Sequence, residues 1–312
     1  MSRRPHSLLG LFADIILAGL CLAAAATFAG KLFWLLDLAS HFQVYYFWAA
    51  TALLLGNLLL RRKRSALAAA ALLGISGYHL LPYYLPRSQV AEQGTAHRLM
   101  LLNLNLTNQK TAAVTAEIAE HDPDILVLQE VTPRWRKELG ALPAGFKHSF
   151  DLPEEGAFGI WVMSKFELED LDVQRRDGVA FLHVRYKVGS RPLEVVALHP
   201  LPPVSGPASK IRDTILADAS IYAAGEGSRI AVGDLNCSPW SPHFRSFLKT
   251  SGLRDTALGR GAQGTWLRGL LLGIPIDHVL VSPDIEVIDR IIGRDVGSDH
   301  RPVVVTFQFQ KD

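Results

Sequence analysis

A carboxylate and a carboxamide, Asp234 and Asn236, stand one residue apart just after the apolar run at residues 230–232. Side chains alternate across an extended chain, so both would point to the same side where a strand ends. Such a pair can accept a proton from a nucleophile and donate a hydrogen bond to an oxyanion. On this fragment alone a polar turn is the favoured interpretation, because Gly, Asp and Asn often follow strands.

Four more fragments combine an apolar run with polar side chains where the predicted strand begins or ends. Their polar residues are Asn103 with Asn105, Glu130, Asp277, and the pair Asp299 and His300. Each fragment is weak evidence alone. Taken in this order, the five fragments resemble the endonuclease/exonuclease/phosphatase superfamily, which includes pancreatic deoxyribonuclease, abasic-site endonucleases, neutral sphingomyelinases and inositol polyphosphate phosphatases. The resemblance extends from about residue 97 to the C-terminus.

The resemblance implies an α/β fold, a four-layer sandwich of two packed β-sheets flanked by helices, and a hydrolase of phosphoester bonds that uses Mg²⁺ or Mn²⁺. In the family pattern Glu130 and Asn103 hold the metal and Asp299 contributes to its site, with one or two ions. Asn105 is the alternative to Asn103, since both point the same way. In the family the ligand asparagine often precedes a second asparagine by five positions, as Asn103 precedes Asn108, so the resemblance favours Asn103. Such oxygen ligands are those that Mg²⁺ prefers.

The resemblance assigns the reaction itself to five further residues. Asp234 orients or deprotonates the attacking water. His300 is the general acid/base or phosphate-binding group, and Asp277 orients it and makes it more basic, since a neighbouring carboxylate fixes the tautomer of a histidine. Asn236 and His199 donate hydrogen bonds to the charged oxygens. Without the resemblance, His199 would be interpreted as a solvated residue at a strand end.

The elements between these fragments follow from apolar runs and one-turn spacing. They predict strands at 97–106, 125–128, 157–164, 180–186 and 193–198, and helices at 111–120, 210–224 and 244–248. The first two strands and the helix between them form a βαβ-like unit that brings Asn103 and Glu130 to one edge. Trp161 is predicted to lie in the core and Cys237 to be a small buried spacer.

The sequence does not decide the role of three further features. Arg212, on the helix before the central fragment, is either structural or faces a phosphate. The apolar loop at 270–274 either belongs to the core, which is slightly favoured, or touches lipid or an acyl chain. His278 stands where several relatives have tyrosine, which puts substrate contacts in doubt.

Three apolar runs precede residue 87 and predict transmembrane helices at about 8–30, 42–60 and 65–85, since a helix needs roughly 20 residues to cross ~30 Å of hydrocarbon. This divides the chain into an anchor at 1–86, a linker at 87–96 and a catalytic domain at 97–312. Asp14 lies near the start of the first run, where it can reach the interface. A cleaved signal peptide is the competing interpretation of that run.

The positive residues indicate how the anchor is oriented. Arg3, Arg4 and the cluster at residues 61–64 are expected to stay in the cytoplasm. Three crossings then place the catalytic domain on the periplasmic or extracellular side of a cell inner membrane, with the lipid bilayer as partner. The polar linker is expected to let the domain swing near the membrane.

Composition restricts the partners. Residues 96–312 carry 24 Lys and Arg against 27 Asp and Glu, whereas proteins that grip long DNA need a surplus of positive charge. The two cysteines show no zinc spacing, and no protein partner is indicated. The substrate is expected to be a phosphoester: a lipid head group, a small phosphodiester or nucleic acid. A catalytically inactive binding or scaffold protein on the same fold is the alternative, and a transporter is disfavoured by the lack of internal repeats.

Overall fold

The computed structural model describes residues 8–87, 94–140, 145–266 and 271–310. Its helices are α1 (Leu8–Ala26), α2 (Trp34–Leu38), α3 (Gln43–Leu59), α4 (Lys63–Tyr84), α5 (Thr111–His121), α6 (Pro133–Glu138), α7 (Gly206–Tyr222) and α8 (Pro242–Ser251). Its strands are β1 (His97–Asn103), β2 (Ile125–Gln129), β3 (His148–Leu152), β4 (Ile160–Ser164), β5 (Glu167–Arg176), β6 (Val179–Val188), β7 (Arg191–Leu198), β8 (Ser228–Asp234), β9 (Arg254–Asp255), β10 (Asp277–Val281), β11 (Ile285–Ile292) and β12 (Val303–Phe309).

The strands form two six-stranded sheets. The first has the order β11-β12-β1-β2-β4-β3 and the second the order β5-β6-β7-β8-β10-β9. In the first sheet β1 and β2 run parallel and α5 connects them, so the predicted βαβ unit is present. In the second, β8 runs parallel to β7 and antiparallel to β10. The central strands are buried along their whole length, because both of their faces are covered.

Three apolar cores hold these layers together. The largest lies between the sheets and joins side chains such as Val127 and Val232. A second packs the outer face of the second sheet against α7 and α8, and a third packs the first sheet against α5 and α6. The order is therefore helices, sheet, sheet, helices, which confirms the predicted four-layer sandwich. Trp161 and Cys237 are buried, as predicted.

Gly233 shows why the central fragment has its particular sequence. A Cβ atom at this position would lie 1.8 Å from the carbonyl oxygen of Leu198 on β7. Only glycine lets β8 approach its neighbour so closely. β8 ends one residue after this close contact, at Asp234.

The helices before residue 85 form a separate bundle, in which α1, α3 and α4 pack around a small apolar core. Three stretches, Gly10–Ala29, Trp34–Leu59 and Lys63–Tyr84, are long and apolar enough to cross a membrane. The turn between α3 and α4 marks one end of this bundle. There Arg62 contacts the carboxylate of Asp14, which also accepts a hydrogen bond of 2.7 Å from Ser65 Oγ. Asp14 is thus paired within the bundle.

The opposite end of the bundle packs directly against the catalytic domain. Asp37, in α2, accepts hydrogen bonds of 2.7 Å from both Arg212 Nη2 on α7 and Ser241 Oγ. Trp240 Nε1 donates to the carbonyl oxygen of His79 on α4 at 3.0 Å. The expected swinging domain is therefore wrong for the described residues, since buried polar contacts join the two parts. Of the predicted linker, residues 88–93 lie outside the described residues.

Candidate active site

Four strands from the two sheets meet at one edge of the sandwich. In the first sheet β1 ends at Asn103, and Glu130 follows β2. In the second sheet β8 ends at Asp234, which pairs with Asp277, the first residue of the antiparallel strand β10. The two sheets face each other, so these four polar side chains converge on a single cleft. This edge is where the sequence places its candidate residues.

The backbone beside the cleft adopts an uncommon conformation. Asn105, Glu130 and Asn236 have φ values of 57°, 57° and 49°. Asparagine tolerates this left-handed region because its side chain bonds the local backbone, whereas glutamate rarely enters it. Glu130 is held there by its own carboxylate, which accepts a hydrogen bond of 2.9 Å from Leu106 N. Such conformations often mark functional sites.

His300 lies between two carboxylates. Its Nδ1 is 2.9 Å from Asp277 Oδ2 and 3.2 Å from Asp277 Oδ1, and its Nε2 is 3.7 Å from Asp234 Oδ2. All three residues are buried. Because a carboxylate at Nδ1 fixes the tautomer, Nε2 is the nitrogen that faces the cleft. The structure thus brings together the predicted pair of Asp277 and His300.

Asp234 is the centre of the contact network. Its Oδ2 lies 3.5 Å from His199 Nε2 and 3.5 Å from Asn103 Nδ2, while its Oδ1 accepts a hydrogen bond of 2.8 Å from Asn236 N. The Asn236 side chain donates to the carbonyl oxygen of Pro200 at 2.9 Å, which holds it beside the loop after β7. The Asp234 carboxylate therefore lies close to four other predicted site residues: His199, Asn103, Asn236 and His300.

The acidic and basic groups of the cleft stabilise one another in their charged forms. Burial disfavours the charged form of His300, but the carboxylates of Asp277, Asp234 and Asp299 outweigh it and raise the pKa of His300 to about 10. Burial likewise opposes charge on His199, yet Asp234 raises the pKa of His199 above its usual value. Burial also disfavours the ionised form of Asp234, and its contacts with His199 and His300 nevertheless lower the pKa of Asp234. A carboxylate between two histidines stays ionised in this way.

Glu130, Asn103 and Asp299 supply oxygen atoms on the other side of the cleft. Glu130 Oε1 accepts a hydrogen bond of 3.0 Å from Asn103 Nδ2. Asn105 Nδ2 donates to Asp299 Oδ1 at 2.5 Å, and Asn105 N donates to Asn103 Oδ1 at 3.0 Å. Both asparagines therefore border the cleft, Asn103 beside Glu130 and Asn105 beside Asp299.

The family profile for endonuclease/exonuclease/phosphatase proteins matches residues 100–300, which is more than half of the chain. The chain belongs to the endonuclease/exonuclease/phosphatase family. Members of this family are hydrolases of phosphoester bonds and are generally dependent on divalent metal ions. A comparison with curated proteins finds no match.

Solved structures of similar fold support this assignment. An endonuclease/exonuclease/phosphatase protein from Beutenbergia cavernae aligns with a TM-score of 0.56 and 22% identity over 70% of this chain and 72% of that one. TDP2 from D. rerio, complexed with a single-strand DNA product, has a TM-score of 0.57 and 16% identity over 69% and 100%. The human Nocturnin catalytic domain with bound sulfate has 0.57 and 17% over 69% and 95%. At these identities the likeness concerns the fold.

A second group of side chains in this family member could also offer metal ligands. Asp234, Asp277 and His300 each place one ligand atom within 4.8 Å of the others. However, a nitrogen ligand suits a hard cation less well than oxygen does. The oxygen set of Glu130, Asn103 and Asp299 therefore fits Mg²⁺ or Mn²⁺ better by its chemistry.

Some residues that hold the site are not evident from the sequence. Gln129 spans the two sheets: its Nε2 donates to the carbonyl oxygen of Leu198 and its Oε1 accepts from Asp234 N, each at 2.8 Å. Ser298 Oγ donates to the carbonyl oxygen of Asn103 at 2.8 Å and accepts from His300 N at 3.0 Å. Both residues adjoin a candidate residue, which is the only signal that the sequence offers.

The structure decides the three interpretations left open by the sequence. Arg212 is fully buried and bonded to Asp37, so it is structural and the phosphate-facing alternative is wrong. In the apolar loop Leu271 is 93% exposed and Leu272 is also exposed, whereas Ile274 is buried, so the core interpretation is wrong for Leu271 and Leu272 and holds for Ile274. Residues 267–270 lie outside the described residues. His278 is buried, and its Nε2 lies 2.9 Å from the carbonyl oxygen of Cys237, which sets it behind the cleft.

Proposed function

We propose that the chain is a membrane-anchored, metal-dependent phosphoesterase that acts outside the cytoplasm. The observation that carries the proposal is the position of Asp234, whose carboxylate lies within 3.7 Å of His199, His300 and Asn103. An acid between two histidines in a buried cleft is typical of a site for proton transfer. The family's phosphoester hydrolysis gives this arrangement a reaction to perform.

Each side chain would have a specific task in hydrolysis. Asp234 orients the attacking water and accepts its proton. His300, held by Asp277, donates from Nε2 to the phosphate or to the leaving oxygen. His199 and Asn236 donate hydrogen bonds to the charged oxygens of the phosphate. In support, His199 Nδ1 is buried without a hydrogen-bond partner among the described residues.

Glu130 and Asn103, with Asp299, are the residues that would hold Mg²⁺ or Mn²⁺. Carboxylate and amide oxygens are the ligands that such hard cations prefer. When bound, the ion neutralises negative charge on the phosphate. The protein itself positions these oxygens through Leu106 N, which bonds Glu130, and Asn105, which bonds Asp299.

A soluble substrate tests this proposal. Purified full-length protein in detergent should hydrolyse bis-p-nitrophenyl phosphate with Mg²⁺ or Mn²⁺, lose this activity in EDTA, and regain it when the ion is restored. The rate of p-nitrophenol release is the measurement. Full activity in EDTA would refute the metal mechanism. No activity with either ion would favour the catalytically inactive scaffold, against which the complete set of eight site residues argues.

The orientation of the domain is also part of the proposal. In support, Arg62 and Asp14 lie at one end of the bundle, and the catalytic domain packs against the other. Since positive loops stay in the cytoplasm, the domain would face the periplasm or the exterior of an inner membrane. Reporter fusions after Arg64 and after Arg87 should report opposite sides, and a cytoplasmic signal from the second fusion would overturn the orientation.

A further inference from the structure

One loop of the cleft contacts the outer end of the anchor. Residues 200–205 lead from His199, in the cleft, to Gly206, the first residue of α7. Gly206 lies against the indole ring of Trp34: a Cβ atom on the glycine would be 3.4 Å from Nε1 of that ring. The loop thus connects a cleft residue with the first residue of α2.

A second loop also connects a cleft residue with the anchor. Trp266 Nε1 donates a hydrogen bond of 3.1 Å to Asp299 Oδ2 in the cleft. Further along this loop, Leu272 N donates a hydrogen bond of 3.1 Å to the hydroxyl of Tyr45, which lies in the first turn of α3. Two separate loops therefore run from the site to an aromatic residue of the anchor.

The two aromatic residues indicate where the loops lie relative to the bilayer. Trp34 and Tyr45 both belong to the stretch Trp34–Leu59, which is one of those apolar enough to cross a membrane. Trp and Tyr side chains prefer the membrane–water interface, at the level of the head groups. The first loop ends at Gly206, beside the ring of Trp34, and the second loop bonds the hydroxyl of Tyr45, so both loops lie next to residues that prefer that level.

The same loops expose large apolar side chains. Val204 is 76% exposed on the first loop and Leu271 is 93% exposed on the second. Leu32 and Phe33, in the segment before α2, are also exposed. Single exposed apolar residues are common on soluble surfaces. Here, however, they lie on the segments nearest the anchor, where lipid chains would cover them.

The charge of the domain favours a lipid over a nucleic acid. Residues 96–312 carry 24 Lys and Arg against 27 Asp and Glu. A groove for a polyanion needs several positive phosphate contacts, because released counterions supply much of the affinity. A single phosphoester head group needs only the cleft itself.

We propose that the substrate is a phosphoester lipid of the same membrane, whose head group enters the cleft while its acyl chains remain in the bilayer. This inference rests on the proposed phosphoesterase function. In the reaction the oxygen of one water bonds to phosphorus, the ester P–O bond breaks, the water gives up a proton, and the leaving oxygen takes one. The apolar part of the substrate is held by Val204, Leu271 and the bilayer.

Matched substrates separate this inference from the proposed function. Full-length protein is reconstituted in phosphatidylcholine vesicles that contain phosphatidylglycerol or phosphatidylinositol phosphates, both of which become water-soluble when deacylated. The soluble arms are the deacylated head group of each lipid, bis-p-nitrophenyl phosphate, and a single-stranded oligonucleotide. We expect at least one vesicle lipid to be hydrolysed tenfold or more faster than its deacylated head group, with products measured by mass spectrometry.

Surface variants test the role of the loops. Val204→Ser combined with Leu271→Ser removes two exposed apolar side chains, and should lower the ratio of lipid to soluble-diester hydrolysis at least fivefold. Ile221→Ser is the matched control, because Ile221 is 64% exposed near the far end of α7. It should leave both rates unchanged. Retained diester hydrolysis shows that the double variant is folded.

The outcomes distinguish the lipid inference from the proposed phosphoesterase function. Hydrolysis of bis-p-nitrophenyl phosphate, without a preference for any lipid over its deacylated head group, would overturn the lipid inference and leave the phosphoesterase standing. Preference for the oligonucleotide over every lipid would do the same and identify a nuclease. Absence of all hydrolysis would instead refute the proposed function.

Discussion

Two buried carboxylates of this protein each bind a basic partner, but their surroundings differ. At the interface with the anchor, Asp37 uses both oxygens, one for Arg212 and one for Ser241. Arg212 is itself fully satisfied, since it also donates to Asp213 and to the carbonyl oxygen of Asn236. In the cleft, Asp277 binds one nitrogen of His300 and leaves the other without a partner within hydrogen-bond distance among the described residues.

The difference separates a structural site from a chemical one. A buried ion pair whose atoms are all bonded has nothing left to offer a ligand, and its main effect is to fix how two parts of the chain meet. A buried polar atom that is left without a partner, as His300 Nε2 is among the described residues, costs stability and can bind a ligand. The cleft therefore has an atom free to meet a ligand, whereas the ion pair at the interface with the anchor is bonded on every side.

The largest effects are expected from the cleft. Asp234→Asn and His300→Ala should each lower kcat on bis-p-nitrophenyl phosphate by about 100-fold to 10,000-fold, because proton transfer by a positioned side chain contributes that much. Asp234→Asn keeps the size of the side chain and leaves His300 bonded to Asp277, so it should unfold near the temperature of the parent protein. His300→Ala leaves the buried carboxylate of Asp277 without its histidine and should unfold at a lower temperature. Lys31→Ala, at the contact of Lys31 Nζ with Ser246 Oγ, is an exposed control. Loss of less than tenfold would contradict the assigned roles.

Substitutions at the interface with the anchor should mainly lower the stability of the protein. Asp37→Leu removes one of the two carboxylates that bind Arg212 and leaves it only the partly exposed Asp213. It should destabilise the protein by about 1–3 kcal/mol, the cost of losing a buried hydrogen bond to a charged group. The double variant Asp37→Leu and Arg212→Met should recover most of this loss, because no charge then remains buried. Chemical unfolding in detergent, followed by tryptophan fluorescence, measures both.

Activity gives a second test of the same pair. Arg212 donates to the carbonyl oxygen of Asn236, so the double variant should fold and still lose part of its kcat. A double variant as unstable as the single one would show that the apolar replacement does not pack, and an Asp37→Leu protein of unchanged stability would refute the importance of the pair.

The sequence predicts the strands that end at the cleft because they depend on local patterns, whereas it misses β3, β5 and β11, which are less apolar. Runs such as residues 125–128 are buried on both faces, and each candidate residue stands beside such a run, so alternation along the strand is enough to place Glu130 or Asp234 at an edge. The family resemblance then supplies the order of the fragments. Both signals lie within a few residues of the side chains concerned.

The docking of the anchor could not be predicted in this way. Asp37 and Arg212 are 175 residues apart, and neither belongs to a motif; their contact depends on the packing of α2 against α7. The linker composition indicated flexibility, whereas buried contacts elsewhere fix the domain. Leu271 posed the same difficulty, since an apolar loop gives no indication of whether protein or lipid covers it.

A substitution of Gln129 should affect both stability and kcat, each to an intermediate extent. Gln129→Ala removes the two hydrogen bonds that this side chain makes to the second sheet, and leaves Asp234 N and the carbonyl oxygen of Leu198 without them. We expect a loss of about 1–3 kcal/mol, the cost of unsatisfied buried polar groups. The kcat should fall too, because the backbone of Asp234 is no longer fixed. Gln308→Ala, whose amide donates to Glu286 away from the cleft, is the control and should affect stability alone.

The smallest effect is expected where a cleft loop joins the anchor. Tyr45→Phe keeps the aromatic ring and removes only the hydroxyl that accepts from Leu272 N. Loss of one such hydrogen bond should cost about 0.5–1.5 kcal/mol, a modest shift in thermal unfolding. If this contact holds the loop at the bilayer, hydrolysis of a vesicle lipid should fall more than that of a soluble diester, whereas Tyr78→Phe on exposed α4 surface should change neither. Equal loss on both substrates would place Tyr45 with the structural contacts of Asp37.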